Sequence, residues 1–401
     1  MNVVGGTYYE CVLTGHSANQ LRGSGLRAVA ALANLLSDDV TFHTCVAEEE
    51  IPKLEACKEA YCFEPDVYEI PETLAFNYLH PLRGDGYRPV SASSQEHRFE
   101  VDVDAPVLYF GMIEATPVVD GSRVVYDPQN AIPQPFSETG SAADELALVL
   151  NREEGRRLTD RQDPVSICQQ LVEEEASVVV MKCGTQGAYV YSDEEIEWVA
   201  PYKTDEIHPI GSGDVFSAVF FREWADKQRD PCEAAKTASL YTAFYCRYNN
   251  LPFPSDPSSV EDFNPEPISA SFNPGQVYLA GPFFDMGRQI MVIETKMALE
   301  KMGADVFSPY HDVGLPKNSY QRKKIARKDL GGLETSDVVL ALLDDPDRGT
   351  SFEMGYARDS DLPVIGYAND LDRNRMLMLE GTDCFLTESF STAIYRAVWA
   401  T

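Results

Sequence analysis

Two acidic residues stand six positions apart in a stretch where a carboxylate could act as a nucleophile. Asp347 and Glu353 lie in the segment 347–357, which follows an apolar run at 338–343. That run predicts a buried parallel strand, and Asp-Pro-Asp-Arg-Gly predicts a turn before a helix that begins at Thr350. In open α/β sheets, ligands bind outside the carboxyl ends of the strands, where this loop would lie. A carboxylate near a helix N-terminus can accept a hydrogen bond there or attack an electrophile.

The same stretch also has a purely structural interpretation. Thr350-x-x-Glu353 matches a capping box, in which the glutamate side chain accepts a hydrogen bond from a backbone N–H at the start of the helix. The residue types alone leave both interpretations open.

Two further motifs accompany this segment. Tyr-Leu-Ala-Gly-Pro at 278–282 ends a short apolar strand, and Asp-Leu-x-Gly at 329–332 precedes the strand that carries the loop. Together with D-x-G-T-x-x-E-x-G-Y-A they resemble the nucleoside 2-deoxyribosyltransferases over about residues 276–401. The resemblance implies a flavodoxin-like or Rossmann-like parallel sheet, no cofactor, and a catalytic Glu353. It places substrate-binding residues at Tyr278, Gly281, Asp329, Asp347 and Asn374. In this family an asparagine near Asn374 reaches a neighbouring subunit's site, which implies a homo-oligomer.

A second candidate for chemistry is Asp214, in the sequence Gly-Ser-Gly-Asp at 211–214. Two glycines permit a tight turn whose backbone N–H groups point one way, and a helix follows at once. Such a helix start attracts phosphate oxygens, and an aspartate there can accept a hydroxyl proton during phosphoryl transfer. The alternative role for Asp214 is an ordinary N-cap.

Three motifs in the first part of the chain occur in the order and spacing of the ribokinase-like (PfkB) carbohydrate and nucleoside kinases. They are Asn-x-x-Glu at 151–154, Lys-Cys-Gly-Thr-Gln-Gly at 182–187 and the Gly-Ser-Gly-Asp sequence, and the resemblance covers about residues 1–250. It implies an α/β sandwich with a small β lid, to which a strand at 74–81 would belong. It also implies that Asp214 is the catalytic base and that the kinase uses ATP and Mg²⁺. Asn151 and Glu154 would organise Mg²⁺ through water, and the other cofactor-binding residues would be Lys182, Gly184, Gly187, Gly211, Ser212 and Gly213.

The chain departs from the kinase pattern in three respects. Gly23-Ser24-Gly25 and Arg27 stand where the family has Gly-Gly and a following Asn. His-Pro-Ile at 208–210 replaces the Asp-Thr-Thr that normally precedes the glycines, and no acid near the N-terminus clearly matches the family's sugar-contacting one. The phosphoryl-transfer residues are retained, whereas the acceptor cannot be identified.

The order of elements predicts two α/β domains. Short apolar runs alternate with helical patterns, which is typical of βαβ units. A Pro-rich segment at 251–275 predicts an extended linker between a domain at 1–250 and a domain at 276–401.

Composition excludes some partners. The chain has 33 basic and 64 acidic residues, a net charge of −31, so nucleic acid and anionic membranes are not expected as partners. Nine cysteines without zinc-type spacing predict reduced thiols in a cytoplasmic protein. We see no signal peptide and no apolar run as long as the roughly 20 residues of a membrane span.

These observations predict a bifunctional enzyme of nucleoside metabolism. Its C-terminal domain would cleave or transfer the N-glycosidic bond of (2-deoxy)nucleosides through a glutamate ester, with a nucleobase as second substrate. Its N-terminal domain would phosphorylate a sugar or nucleoside. The alternative is that one domain is a catalytically inactive nucleoside- or nucleotide-sensing module that regulates the other.

Overall fold

The computed structural model describes residues 1–13, 20–36, 39–88, 97–129, 132–315, 318–372 and 376–401. They form two compact units: unit 1 contains residues 1–204 and 208–270, and unit 2 contains residues 205–207 and 271–401. Both units combine helices with mainly parallel sheets, which confirms the predicted α/β class. Within these ranges, no helix combines the length and the hydropathy needed to span a bilayer.

Unit 1 is built from strands that alternate with helices. Its strands are β1 (Asn2–Val4), β2 (Tyr8–Val12), β3 (Gln20–Arg22), β4 (Val40–Val46), β5 (Phe63–Glu69), β6 (Ala75–His80), β7 (Arg83–Arg88), β8 (Arg98–Val103), β9 (Val107–Phe110), β10 (Thr116–Asp127), β11 (Ala142–Asn151), β12 (Val178–Lys182), β13 (Ala188–Ser192) and β14 (Glu195–Val199). Its helices are α1 (Ser24–Leu32), α2 (Ile51–Tyr61), α3 (Arg152–Thr159), α4 (Pro164–Glu174), α5 (Ser212–Phe221), α6 (Pro231–Tyr248) and α7 (Ser258–Glu261).

The main sheet of unit 1 has the strand order β14-β13-β12-β11-β10-β9-β1-β4-β5, with β8 paired to β10. Its strands are parallel except for the antiparallel pairs β12–β13 and β13–β14. The central strand β9 is apolar and buried on both faces, because helices cover a parallel sheet on each side. The motif at 182–187 connects β12 to β13 in an antiparallel hairpin.

A separate small sheet has the order β3-β2-β6-β7. It contains the strand that the sequence predicts for a lid, since β6 spans Ala75–His80. Tyr8 of β2, Phe76 of β6 and Tyr87 of β7 form a row of contacting rings, with centroids 4.4 and 5.6 Å apart.

The predicted extended linker is wrong for residues 251–270. Phe253 and Val260 are fully buried in the core of unit 1, and residues 258–261 form α7. Ile268 donates its backbone N–H to the carbonyl of Pro201. The prolines suggested an exposed segment. However, burying the apolar side chains between them removes nonpolar surface from water, and this free-energy gain favours packing of the segment against the core. Unit 2 therefore begins after Ala270.

Unit 2 is a five-stranded parallel sheet flanked by helices in the described residues. Its strands are β15 (Gln276–Ala280), β16 (Asp305–Phe307), β17 (Val338–Leu342), β18 (Val364–Tyr367) and β19 (Phe385–Thr387), and its helices are α8 (Met286–Lys301), α9 (Ser319–Glu334), α10 (Arg348–Asp359), α11 (Leu377–Glu380) and α12 (Phe390–Trp399). The strand order β16-β15-β17-β18-β19 is the 2-1-3-4-5 order of flavodoxin-like folds, as predicted. The carboxyl ends of β15 and β17 are neighbours in this order, so the two motifs that follow them meet at one edge.

All nine cysteines lie in described residues and are free thiols. This agrees with the prediction from their spacing.

Candidate active sites

Glu353 of unit 2 does not cap its own helix. Helix α10 begins at Arg348, and its N-cap is Asp347, which accepts hydrogen bonds from the backbone N–H of Thr350 at 2.9 Å and from its hydroxyl at 2.6 Å. The predicted helix start at Thr350 and the capping box are therefore wrong. Glu353 is the sixth residue of the helix, too far along to reach the N-cap amide, so its carboxylate has no capping role.

The partner of Glu353 is Tyr278. The Tyr278 side chain is fully buried at the centre of β15, and its hydroxyl donates to Oε1 of Glu353 at 3.0 Å. Burial raises the pKa of Glu353 to about 7; the Tyr278 hydroxyl lowers it, while the charges of Asp329 and Asp347 raise it. These four side chains thus act on one another electrostatically, although they come from β15, α9 and the start of α10.

Asp329, on α9, has an unsatisfied oxygen. Its Oδ1 is buried and accepts no hydrogen bond from any described residue. Burial raises the pKa of Asp329 to about 6, against a lowering by Lys328. A buried carboxylate oxygen without a donor is costly, so its presence points to a partner that the protein alone does not supply.

Close packing holds Tyr278 and α9 together. The ring of Phe307, in β16, stacks on Tyr278 with centroids 5.5 Å apart. A Cβ on Gly332 of α9 would lie 2.4 Å from that ring, so only glycine allows the helix to approach this closely. Gly281 follows β15 directly and faces Leu342 of β17, which a Cβ there would approach to 3.0 Å.

Asn374, the last predicted residue of this site, lies outside the described residues.

Asp214 of unit 1 lies in the first turn of α5, which begins at Ser212 and so already includes the second of the two glycines. Gly211 is the N-cap residue and has the left-handed φ of 79°, which favours glycine. The Asp214 carboxylate contacts side chains instead of backbone amides. Arg27 donates to its Oδ2 and Gln129 to its Oδ1, each at 2.5 Å. An ordinary N-cap role for Asp214 is therefore wrong.

Lys182 lies beside this turn, with its Nζ 3.6 Å from where a Cβ on Gly213 would be. It donates to Oδ2 of Asp127 at 2.6 Å, and Ser217 of α5 donates to the same oxygen at 2.6 Å. Burial raises the pKa of Asp127, although Lys182 opposes the shift. Asp127 was not among the predicted site residues. Its position at the end of an apolar strand is a sequence signal that could have identified it as a candidate site residue.

Asn151 and Glu154 form the capping box of α3. Asn151 Oδ1 accepts from the amides of Glu153 and Glu154, and Oε2 of Glu154 accepts from the amide of Asn151 at 2.7 Å. Burial and the charge of Asp127 raise the pKa of Glu154 to about 7. Among the described residues, no three Asp, Glu, His or Cys side chains converge as direct metal ligands. Carboxylates at this place are nevertheless the oxygen donors that Mg²⁺ prefers, and contact through water needs fewer of them.

Gly184 and Gly187 form the tight turn between β12 and β13, with positive φ values of 57° and 85°. A Cβ on Gly187 would lie 2.2 Å from the carbonyl oxygen of Val199, so the β13–β14 hairpin packs directly against the turn.

Glu114 is a buried acid that the sequence analysis missed. It follows the carboxyl end of β9, its side chain is 3% exposed, and its Oε1 has no hydrogen-bond partner in the described part of the chain. Burial raises its pKa to about 7. Gly6 lies between Glu114 and Tyr8: a Cβ there would be 2.9 Å from Oε1 of Glu114 and 3.0 Å from the tyrosine ring.

Two family models match the chain. Residues 277–386 match the nucleoside 2-deoxyribosyltransferase family, and residues 123–256 match the pfkB family of carbohydrate kinases. Both predicted resemblances are confirmed, so the chain carries a PfkB-type kinase region and a deoxyribosyltransferase-like region. No curated protein sequence matches it.

Solved structures similar to the chain are ribokinase-family kinases. A double mutant of fructokinase from Vibrio cholerae O395, bound to fructose, ADP and potassium ion, is 15% identical with a TM-score of 0.50, and the match covers 65% of this chain and 97% of that chain. A PfkB protein from Polaromonas sp. JS666 is 17% identical with a TM-score of 0.49, covering 66% and 99%. Ribokinase from Thermotoga maritima is 17% identical with a TM-score of 0.49, covering 65% and 98%. The likeness to the fructokinase concerns the fold and agrees with the predicted ribokinase-like architecture.

Proposed function

We propose that unit 2 cleaves the N-glycosidic bond of (2-deoxy)nucleosides and transfers the sugar to a second base or to water. The observation that carries this proposal is the partner of Glu353: the carboxylate accepts a hydrogen bond from the buried Tyr278 and has no capping role. A partly buried carboxylate with a pKa of about 7 is available for chemistry near neutral pH.

The reaction is a double displacement. An oxygen of the ionised Glu353 carboxylate attacks the anomeric carbon, and the C–N bond breaks with its electron pair leaving on the base. The base takes a proton from Asp329, whose raised pKa of about 6 makes it a usable acid, or is bound by Asp329 and Asp347. A second base, or water, then attacks the same carbon and releases Glu353.

Tyr278 supports this role. Its hydroxyl donates to Oε1 and lowers the pKa of Glu353 against the effect of burial. The hydrogen bond also orients the carboxylate, because the tyrosine ring is buried and stacks on Phe307 of the neighbouring strand β16.

Covalent trapping tests the proposal. The whole protein is incubated with a 2-fluoro-2-deoxy nucleoside, which slows hydrolysis of the glycosyl ester, and is then analysed by peptide mass spectrometry. We expect one added sugar on the peptide that contains Glu353. Product analysis with deoxynucleosides, with and without a second base, separates transfer from hydrolysis. Release of base without any adduct, at an unchanged rate in Glu353→Gln, would refute the nucleophile.

We further propose that unit 1 is an ATP-dependent sugar or nucleoside kinase. Asp214 would accept the proton of the acceptor hydroxyl as its oxygen attacks the γ-phosphorus, while ADP leaves. The turn at Gly211, Ser212 and Gly213 would hold phosphate oxygens, with Lys182 beside it. When bound, Mg²⁺ would neutralise phosphate charge, held through water by Asn151 and Glu154. ADP formation by the protein with a panel of pentoses and nucleosides tests this activity.

A second candidate for unit 1 is a sensing module that binds a nucleoside or nucleotide without phosphorylating it. The specific observation in its favour is that both oxygens of Asp214 already accept hydrogen bonds from Arg27 and Gln129. Ligand-dependent changes in the activity of unit 2, without ADP formation, would support this function.

Homo-oligomerisation and a cytoplasmic location remain proposals. Helix α8 carries exposed apolar side chains on one face, at Met286, Ile290 and Met297, which would suit a contact between copies. Light scattering coupled to size exclusion tests the oligomer.

A further inference from the structure

Arg27 contacts the predicted base of unit 1 directly. Its guanidinium donates to Oδ2 of Asp214 and to Oε2 of Glu10, each at 2.5 Å, and its side chain is 4% exposed. With Gln129 on the other oxygen, the Asp214 carboxylate is held from two sides. A buried arginine with two carboxylate partners is a strong, geometrically specific contact.

Arg27 also packs on the turn that precedes α5. A Cβ on Gly211 would lie 2.0 Å from Nε of Arg27, so the arginine stem covers this glycine. The same side chain lines a cavity of about 180 Å³, together with Glu10, Arg22 and Tyr245. Arg27 therefore stands between strand β2 of the small sheet and the residues that would carry out phosphoryl transfer.

We propose that Arg27 is a lock on unit 1: in the ligand-free chain it keeps Asp214 as an ion-pair partner, and phosphoryl transfer requires the guanidinium to leave. The inference rests on the proposed kinase activity. A general base must come within hydrogen-bond reach of the acceptor hydroxyl, and here Arg27 and Gln129 each contact one oxygen of Asp214 while the Arg27 side chain covers the adjacent turn at Gly211.

The energetic balance favours the locked state for a neutral acceptor. Separating Arg27 from Asp214 leaves the arginine with Glu10 but leaves the buried Asp214 carboxylate without its cation, and this costs more than one hydrogen bond to a hydroxyl returns. The wild-type protein should therefore phosphorylate neutral pentoses and nucleosides slowly, because few molecules have Asp214 released.

The ion pair is tested first, without any ligand. Melting temperatures are measured for the wild type, Arg27→Asn, Asp214→Asn and the double variant, with Arg22→Asn as a control on the same cavity. Arg27→Asn should lower the melting temperature most, because it removes the cation from both Glu10 and Asp214, and the double variant should lose less than the sum of the two single losses. Additive losses would show that the two residues act independently and would overturn the lock.

Activity is tested second, as ADP formation with MgATP and neutral pentoses and nucleosides. Arg27→Asn should turn over at least about tenfold faster than the wild type, and adding Asp214→Asn should remove the gain. Arg27→Gln, which keeps much of the side-chain volume without the charge, replaces Arg27→Asn if that variant does not fold. Wild-type turnover equal to or above that of the variants overturns the lock.

The two proposals fail in different ways. A non-additive melting cycle with no ADP formed by any variant shows the ion pair but refutes the kinase, and with it the lock on phosphoryl transfer. An additive cycle with rapid wild-type turnover overturns the lock and supports the kinase.

Discussion

Glu353 of unit 2 and Asp214 of unit 1 are both acidic residues within the first two turns of a helix, and in each case an ordinary cap was the competing explanation. Their surroundings differ in charge. Glu353 has a neutral tyrosine as its hydrogen-bond partner and two like charges nearby, whereas Asp214 is paired with a buried arginine. The first arrangement leaves a carboxylate that can gain or lose a proton near pH 7; the second fixes a carboxylate in an ion pair. Acidic residues at similar positions in their motifs can therefore differ: one can exchange a proton near pH 7, and the other is held in an ion pair.

The largest effect is expected from Glu353→Gln. The amide keeps the size of the side chain but cannot form a glycosyl ester, so base release should fall by ~10³-fold or more. Deoxynucleoside cleavage is followed by chromatography, with Glu334→Gln on α9 as the matched control. Asp214→Asn should leave base release unchanged. A drop of similar size in that variant would mean that base release does not depend specifically on Glu353.

Asp329→Asn should have the next largest effect. The amide cannot deliver a proton to the leaving base, so kcat should fall by roughly 10–100-fold at pH 6. For a nucleoside whose base leaves readily without protonation, the variant's kcat should fall much less. Asp359→Asn, an exposed acid at the end of α10, serves as control. Equal losses of kcat for both nucleosides would mean that Asp329 binds the base and does not protonate it.

Stability should respond to pH through Glu353. Its pKa is raised from 4.5 to about 7, so the folded protein holds a proton that the unfolded chain has released in this range. Its contribution to stability is therefore greatest at low pH and is lost as pH rises towards 7. Glu353→Gln, which cannot ionise, should gain about 1–3 kcal/mol relative to the wild type at pH 8 and little at pH 4. Urea denaturation at both pH values measures it; the opposite sign would mean that Glu353 is stabilised as an anion.

Tyr278→Phe should shift the pH profile more than the maximal rate. Loss of the hydroxyl removes an interaction that lowers the pKa of Glu353, so the acidic limb of kcat/KM should move to higher pH. The loss at pH 6 should exceed that at pH 8, with a maximal rate reduced by less than about tenfold. Tyr356→Phe on α10 is the control, because its hydroxyl bonds to Glu334 instead. An unchanged profile would leave Tyr278 with a packing role only.

The smallest effect is expected from separating the units. A protease site inserted within residues 271–275 should leave two soluble fragments that each melt cooperatively, because the tail at 251–270 stays with unit 1. A cut near Ser258 should instead destabilise unit 1, since it detaches the buried Val260 and Ile268. Calorimetry of both cut proteins measures the difference, and equal stability would contradict the packing of this segment.

Local patterns predicted single elements well. The apolar run of β17 and the lid strand β6 depend on neighbours in the sequence, and both are present. The start of α10 was missed by two residues because Asp347 and Thr350 are both good caps, and only the loop path decides between them.

Long-range pairing could not be predicted. Arg27 and Asp214 are 187 residues apart, and no pattern along the chain shows that the departure at Arg27 meets the predicted base. The Tyr278–Glu353 hydrogen bond joins residues 75 positions apart. Buried acids such as Glu114 were missed for the same reason: an acid after a strand is usually solvated, and only the folded chain shows that this one is not.

Gly332 determines how closely α9 packs against the candidate site of unit 2, although it has no side chain that could bind a ligand. It lies one helical turn after Asp329, and the Phe307 ring fills the space that its side chain would need. A methyl group there would push α9 outward, and Asp329 would move away from Glu353 with it. In the proposed glycosyl transfer, the room for a base beside Asp329 would thus depend on the packing of Gly332 against Phe307, and a change at either residue would alter base preference without touching Glu353 or Asp329.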